Sequence, residues 1–170
     1  MTTRSTAGRL LGRLSNRAPA LLLAVGLGAT ALAGAIGVSY FNERQPPPPL
    51  PGLSVIEIAL GGQPMTVAVA DTSELRRRGL TGVSDLGSLD GLLFVYDSPI
   101  YASFVMRDVP IPLDIVFIDG DARVLGVTQM PSCTAEPCPL YPSPGAMRWA
   151  VETEAGGLNG VEVGDLLEFR

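Results

Sequence analysis

The stretch Ala20–Phe41 runs for twenty-two residues without a charge, and no other part of the chain is as restricted in what it can become. As a helix it would be about 33 Å long at 1.5 Å per residue, enough to cross a hydrocarbon core of about 30 Å. Arg4, Arg9, Arg13 and Arg17 precede it, while Asn42-Glu43-Arg44-Gln45 and four prolines come after it. Basic residues stay on the cytoplasmic side, so the expected topology keeps residues 1–19 inside, spans with 20–41 and exports the remainder of the chain. In a bacterium this places the downstream domain in the periplasm, held at the inner membrane by a single pass. Gly26, Ala29, Thr30, Ala33, Gly34 and Gly37 form one face of small residues, which lets transmembrane helices pack closely. The plainer account of that face is the abundance of Ala and Gly in the segment. A cleaved secretory signal is the competing reading, with Ala31-Leu32-Ala33 or Ala33-Gly34-Ala35 as the site, although the apolar run exceeds the usual 7–15 or so residues. Both readings export the downstream chain.

Residues 42–52 (NERQPPPPLPG) form a stalk, since consecutive prolines favour a semi-rigid polyproline II spacer. Residues 53–170 suffice for one domain with its own core. All twelve basic residues are Arg, and only seven fall in the domain against sixteen Asp and Glu, a net charge of about −9. That balance argues against nucleic acid or an anionic bilayer surface as the domain's partner. The chain has no His and no Lys. Ser-His-Asp and Cys-His catalysis, lysine Schiff bases, a P-loop lysine and histidine-ligated metals are thereby excluded. No cofactor or metal site is expected.

The domain reads as a series of short strands. Val55–Leu60 and Thr66–Ala70 flank the Gly61-Gly62 turn as a hairpin. Asp71 is the expected N-cap of a short helix through Arg78, with Glu74 three residues on and Gly79 closing it. Gly82–Gly91 reads as loop. Leu92–Tyr96, Ala102–Met106 and Leu113–Ile118 are further strands, and Asp119-Gly120 turns the chain into Arg123–Met130. Arg148–Glu152 and Leu166–Phe169 complete the set, with a brief turn or helix at Ala155–Asn159. The expected fold is α+β, mostly β: a compact barrel-like or rolled antiparallel sheet with one or two short helices.

Two features carry possible chemistry. Cys133 and Cys138 are the only cysteines, bracketed by Pro131, Pro139, Pro142 and Pro144, in a chain expected to be exported. A disulfide is the default, closing a six-residue ring worth about 2 kcal/mol on the chain-entropy estimate. A redox pair or a metal half-site are the alternatives, weakened by the spacing of four and by the shortage of further ligands. The second feature is Asp114, inside the apolar run Leu113–Ile118. A carboxylate there must be paired, for example with Arg107 or Arg78, cap backbone groups, or carry a raised pKa.

Arg78-Gly79-Leu80, Gly91-Leu-Leu-Phe94, Met106-Arg107 with Ile111-Pro-Leu-Asp-Ile-Val-Phe-Ile-Asp119, Cys133…Pro137-Cys138-Pro-x-Tyr141 and Gly160-Val-x-Val-Gly-Asp165 together resemble the DUF192 family. The resemblance runs in order over most of residues 64–170. It implies a small α+β barrel-like fold, frequent export and no established activity. The chain departs from the family pattern at Val105-Met106-Arg107, where Trp-Met-Lys is usual, at Asp108, where Asn is common, and at Thr81, where Met is common. The segment before Val161 is also shorter. Loss of the Trp removes a stacking surface and favours a scaffolding role.

The leading expectation is therefore a non-enzymatic, membrane-anchored accessory subunit that packs against other integral membrane proteins, such as a respiratory or photosynthetic assembly. The alternative is a periplasmic small-ligand module with Arg78, Met106, Arg107, Asp114 and Tyr141 around its pocket. Last comes a carboxylate-based hydrolase or a thiol oxidoreductase using Cys133 and Cys138.

Overall fold

The computed structural model describes residues 50–170. The segment expected to span the membrane, its small-residue face and most of the stalk lie outside these residues. Among the described residues no helix is long and apolar enough to cross a membrane.

Nine strands and one helix occur in this order: β1 (Val55–Leu60), β2 (Gln63–Ala70), α1 (Ser73–Arg78), β3 (Gly91–Ile100), β4 (Ser103–Val105), β5 (Leu113–Ile118), β6 (Val124–Met130), β7 (Leu140–Pro142), β8 (Met147–Glu154) and β9 (Leu167–Phe169). Seven strands form one sheet in the order β6-β5-β8-β3-β2-β1-β9, and β4 pairs with β7 as a separate ribbon. The sheet curls until its edges meet at one corner. There Arg123 bridges Leu166, the Val124 N–H donates to the Asp165 carbonyl at 2.9 Å, and the Leu167 N–H donates to the Ala122 carbonyl at 2.9 Å. Such contact shields edge groups that would otherwise be open to a second chain.

Both faces of the central strands are buried. Along β5 the side chains alternate between an outer cluster, with Leu113, Ile115 and Phe117, and an inner one, with Val116 and Ile118. This is why Leu113–Ile118 reads as an unbroken apolar run interrupted only by Asp114. Ile58, Leu60, Val67, Leu93 and Val151 join the inner cluster, while Leu92, Phe94, Met106 and Ala150 join the outer one. The β4–β7 ribbon is fastened to the outer cluster by Phe104. Its ring meets Phe94 edge-on at 5.1 Å and Phe117 at 5.8 Å between centroids.

The mostly β, curled architecture agrees with the sequence reading, but three details differ. The sheet is not wholly antiparallel: β2 and β3 run parallel, with Val67 opposite Gly91 and Ala70 opposite Phe94. A parallel neighbour requires a crossover, and residues 71–90 supply it by way of α1. The helix is capped by Thr72 rather than Asp71. The Thr72 hydroxyl accepts from the Leu75 N–H at 3.2 Å, while Asp71 offers its carbonyl to Arg76. Leu140–Pro142 forms a strand, β7, that the sequence reading did not include, while Ala155–Asn159 takes the turn of the two forms expected there.

Candidate functional site

A cleft of about 400 Å³ lies where α1 and the β4–β7 ribbon cover the outer face of β3 and β8. Its buried walls come from Phe94, Glu152 and the half-buried Tyr96 and Phe104. Its mouth is set by arginines: Arg76, Arg77 and Arg78 from the last turn of α1, and Arg107 just beyond β4. Four of the seven arginines in an acidic domain thus gather at one opening.

Local structure explains each placement. Helix α1 has only six residues and ends at Gly79, whose φ of 49° and ψ of −135° suit glycine; the Gly79 N–H donates to the Leu75 carbonyl at 2.9 Å. Arg76, Arg77 and Arg78 in that last turn all line the cleft. Arg76 is held in place by the Asp71 carbonyl, by the Val95 carbonyl at 2.7 Å, and by the Tyr96 ring, whose centroid lies 4.7 Å from its guanidinium carbon. Arg107 meets Glu136 in the only ion pair among the described residues, at 2.6 Å and well exposed. Glu136 lies inside the disulfide-closed loop of Cys133 and Cys138, and it also accepts from the Cys138 N–H at 2.9 Å. The hydrogen bond from Arg107 and then the one from Cys138 hold its carboxyl below the ordinary value. The stapled loop therefore fixes one side of the cleft mouth.

Glu152 is the unusual member. It faces outward from β8 between Leu92 of β3 and Ile115 of β5, is 6 % exposed, and has no hydrogen bond or ion pair among the described residues. Burial alone pushes its carboxyl up to about 8, so it is mostly protonated at neutral pH. Burial likewise raises the neighbouring Tyr96 phenol; Arg76 opposes this and Glu152 adds to it.

The five residues expected to surround a pocket do not converge. Arg78 and Arg107 line the cleft. Met106 is buried in the outer cluster, and Tyr141 packs against that cluster from β7 opposite Phe104. Asp114 points to the inner side, where one carboxylate oxygen accepts from the Gly156 N–H at 2.7 Å and the other is buried without a protein partner. It pairs with neither Arg107 nor Arg78, and its role is to cap backbone. Asp108, with φ of 57°, occupies a left-handed turn that Asn and Asp tolerate better than other side chains, and its carbonyl accepts from Gly82 at 2.8 Å. Glu152, Arg76, Arg77, Tyr96 and Phe104 were missed as site residues. The available signals were the Arg76-Arg77-Arg78 run within an acidic domain and a Glu directly after the apolar Trp149-Ala150-Val151. Among the described residues no group of three or more acidic or cysteine side chains can hold a metal ion.

The profile of the DUF192 family, described as an uncharacterised ACR, matches residues 56–169. The chain belongs to the DUF192 family. A crystal structure of a protein of unknown function from Novosphingobium aromaticivorans DSM 12444 is 27% identical, with a TM-score of 0.64 over 73% of this chain and 91% of that one. A Sinorhizobium meliloti 1021 protein described as a candidate transcription regulator shares the fold at 24% identity, with a TM-score of 0.61 over 69% of this chain and 95% of that one. No curated protein matches the chain.

Proposed function

We propose that this DUF192 member is a non-enzymatic binding module for a small anionic ligand, held on the outer side of the bacterial inner membrane by its N-terminal segment. One observation supports the binding role above others. In a domain of net charge about −9, Arg76, Arg77, Arg78 and Arg107 open onto a single cleft, and among the described residues only Arg107 has a carboxylate partner. Guanidinium groups present forked donors that match carboxylate and phosphate oxygens, and the aromatic walls supply the apolar lining of a ligand pocket. The volume falls within the range of about 300–1,000 Å³ usual for small-molecule sites. Lack of His and Lys in the whole chain supports the non-catalytic reading. The accessory-subunit alternative rests on the N-terminal segment, and the described domain adds no observation in its favour.

The test is calorimetric titration of the full chain in mild detergent with inorganic phosphate, citrate and short carboxylates. Arg78→Ala should weaken binding by about tenfold or more, since a hydrogen bond to a charged group is worth about 1.5–3 kcal/mol. Arg170→Ala, outside the cleft, should leave it unchanged. Equal affinity in all three proteins, or no binding by any anion at millimolar concentration, would sink the proposal.

A further inference from the structure

We propose, resting on the anion-binding reading, that the ligand is a zwitterion whose acid group meets the guanidiniums at the cleft mouth while an ammonium group meets Glu152 at its base. The two ends of the cleft differ in chemistry. At the mouth, the exposed Arg77, Arg78 and Arg107 offer donors to an anion. Deeper, the walls are Phe94, Phe104 and Tyr96, whose ring faces are negative and attract cations rather than anions. One such face already carries a cation, the Arg76 guanidinium at 4.7 Å from the Tyr96 centroid. Among these rings sits a carboxyl that is 6 % exposed, opens onto the cleft and has no partner among the described residues. A buried polar group without a partner is costly, and a ligand ammonium supplies what Glu152 lacks.

Burial alone raises the Glu152 carboxyl, and the titratable and charged groups that line the cleft with it are few. From α1 come Arg76, Arg77 and Arg78, from β3 Tyr96, and from the turn after β4 Arg107 and Asp108. The β5 side chains on the same face, Leu113, Ile115 and Phe117, are apolar. Burial keeps the free Glu152 protonated up to about pH 8. Seating an ammonium group on it releases that proton to solvent and leaves a carboxylate–ammonium pair. Affinity for a zwitterion therefore rises between pH 6 and 8, approaching tenfold per pH unit at most.

The deciding experiment titrates the full chain in mild detergent with 4-aminobutanoate and 6-aminohexanoate against butanoate and hexanoate, at pH 6, 7 and 8. Inorganic phosphate serves as the simple anion. The expected result is that at least one amino acid binds about tenfold or more tightly than the alkanoate of equal length, with the advantage growing with pH, as a buried charge pair predicts. Glu152→Gln should abolish that advantage while alkanoate or phosphate binding persists, which also reports that the variant is folded. Alkanoates binding as tightly as amino acids, or an advantage that survives in Glu152→Gln, overturns the zwitterion and leaves the anion site standing. Failure of every acid and of phosphate to bind overturns both.

Discussion

At the scale of single residues, Glu152 and Asp114 show how differently two carboxylates can be buried in adjacent strands. Asp114 accepts from the Gly156 backbone, whereas Glu152 has only the cleft before it. The carboxyl of Glu152 is raised in the fold from 4.5 to about 8, so the folded chain holds a proton that the unfolded chain has lost. Its contribution to stability is complete below pH 4.5 and declines as pH rises toward 8, at about 1.4 kcal/mol per pH unit where the difference is largest. Above that value the decline ends. Glu152→Gln should flatten this part of the profile and make the protein more stable than the parent at pH 8. Urea midpoints at pH 5, 6.5 and 8 check this; parallel profiles for the two proteins would mean that Glu152 is solvated. Asp114 was legible as a buried acid because it interrupts an apolar run. Its partner was not, because Gly156 lies 42 residues away and meets it only when β5 and β8 pair.

At the scale of elements, α1 is too short to hold itself together, since isolated helices below about 12–15 residues are marginal in water. Its end caps and its seat on β2 keep it in place. Leu75, the one apolar side chain of α1, packs against the outer cluster to which Ala68 and Ala70 of β2 belong. Gly79→Ala would force an alanine into a backbone region that costs about 1–3 kcal/mol, although its Cβ would have room beside Phe94. The expected outcome is a lower melting temperature together with weaker anion binding, because the guanidiniums of Arg76–Arg78 share that last turn. Thermal denaturation followed by phosphate titration of Gly79→Ala measures both. A stable variant with unchanged affinity would show that the cleft does not depend on how α1 ends. The short helix and its closing glycine were readable from Ser73-Glu74 and Gly79; the choice of Thr72 over Asp71 as cap was not, because both side chains can accept and only the backbone direction separates them.

At the scale of the whole molecule, a curled sheet with two cores carries a charged cleft on its outer face, and the N-terminal segment is proposed to anchor it. Anchoring predicts that the expressed chain stays in the membrane pellet after carbonate washing, at full length, and that protease added to spheroplasts removes the domain. Recovery of a soluble chain starting near Gly34 or Ile36 would instead mean a cleaved signal. By itself the sequence determined the mostly β content, the short helix ending at Gly79, the cysteine pairing partners, the acidic balance and the family, because these arise from local periodicity, turn residues and composition. Only the tertiary structure decided that β2 and β3 run parallel, that the sheet edges meet at Arg123 and Leu166, and that Arg76–Arg78, Arg107 and Glu152 share one cleft. Those outcomes depend on which distant strands pair and in which register. One residue of register decides whether Glu152 faces the cleft or the inner core.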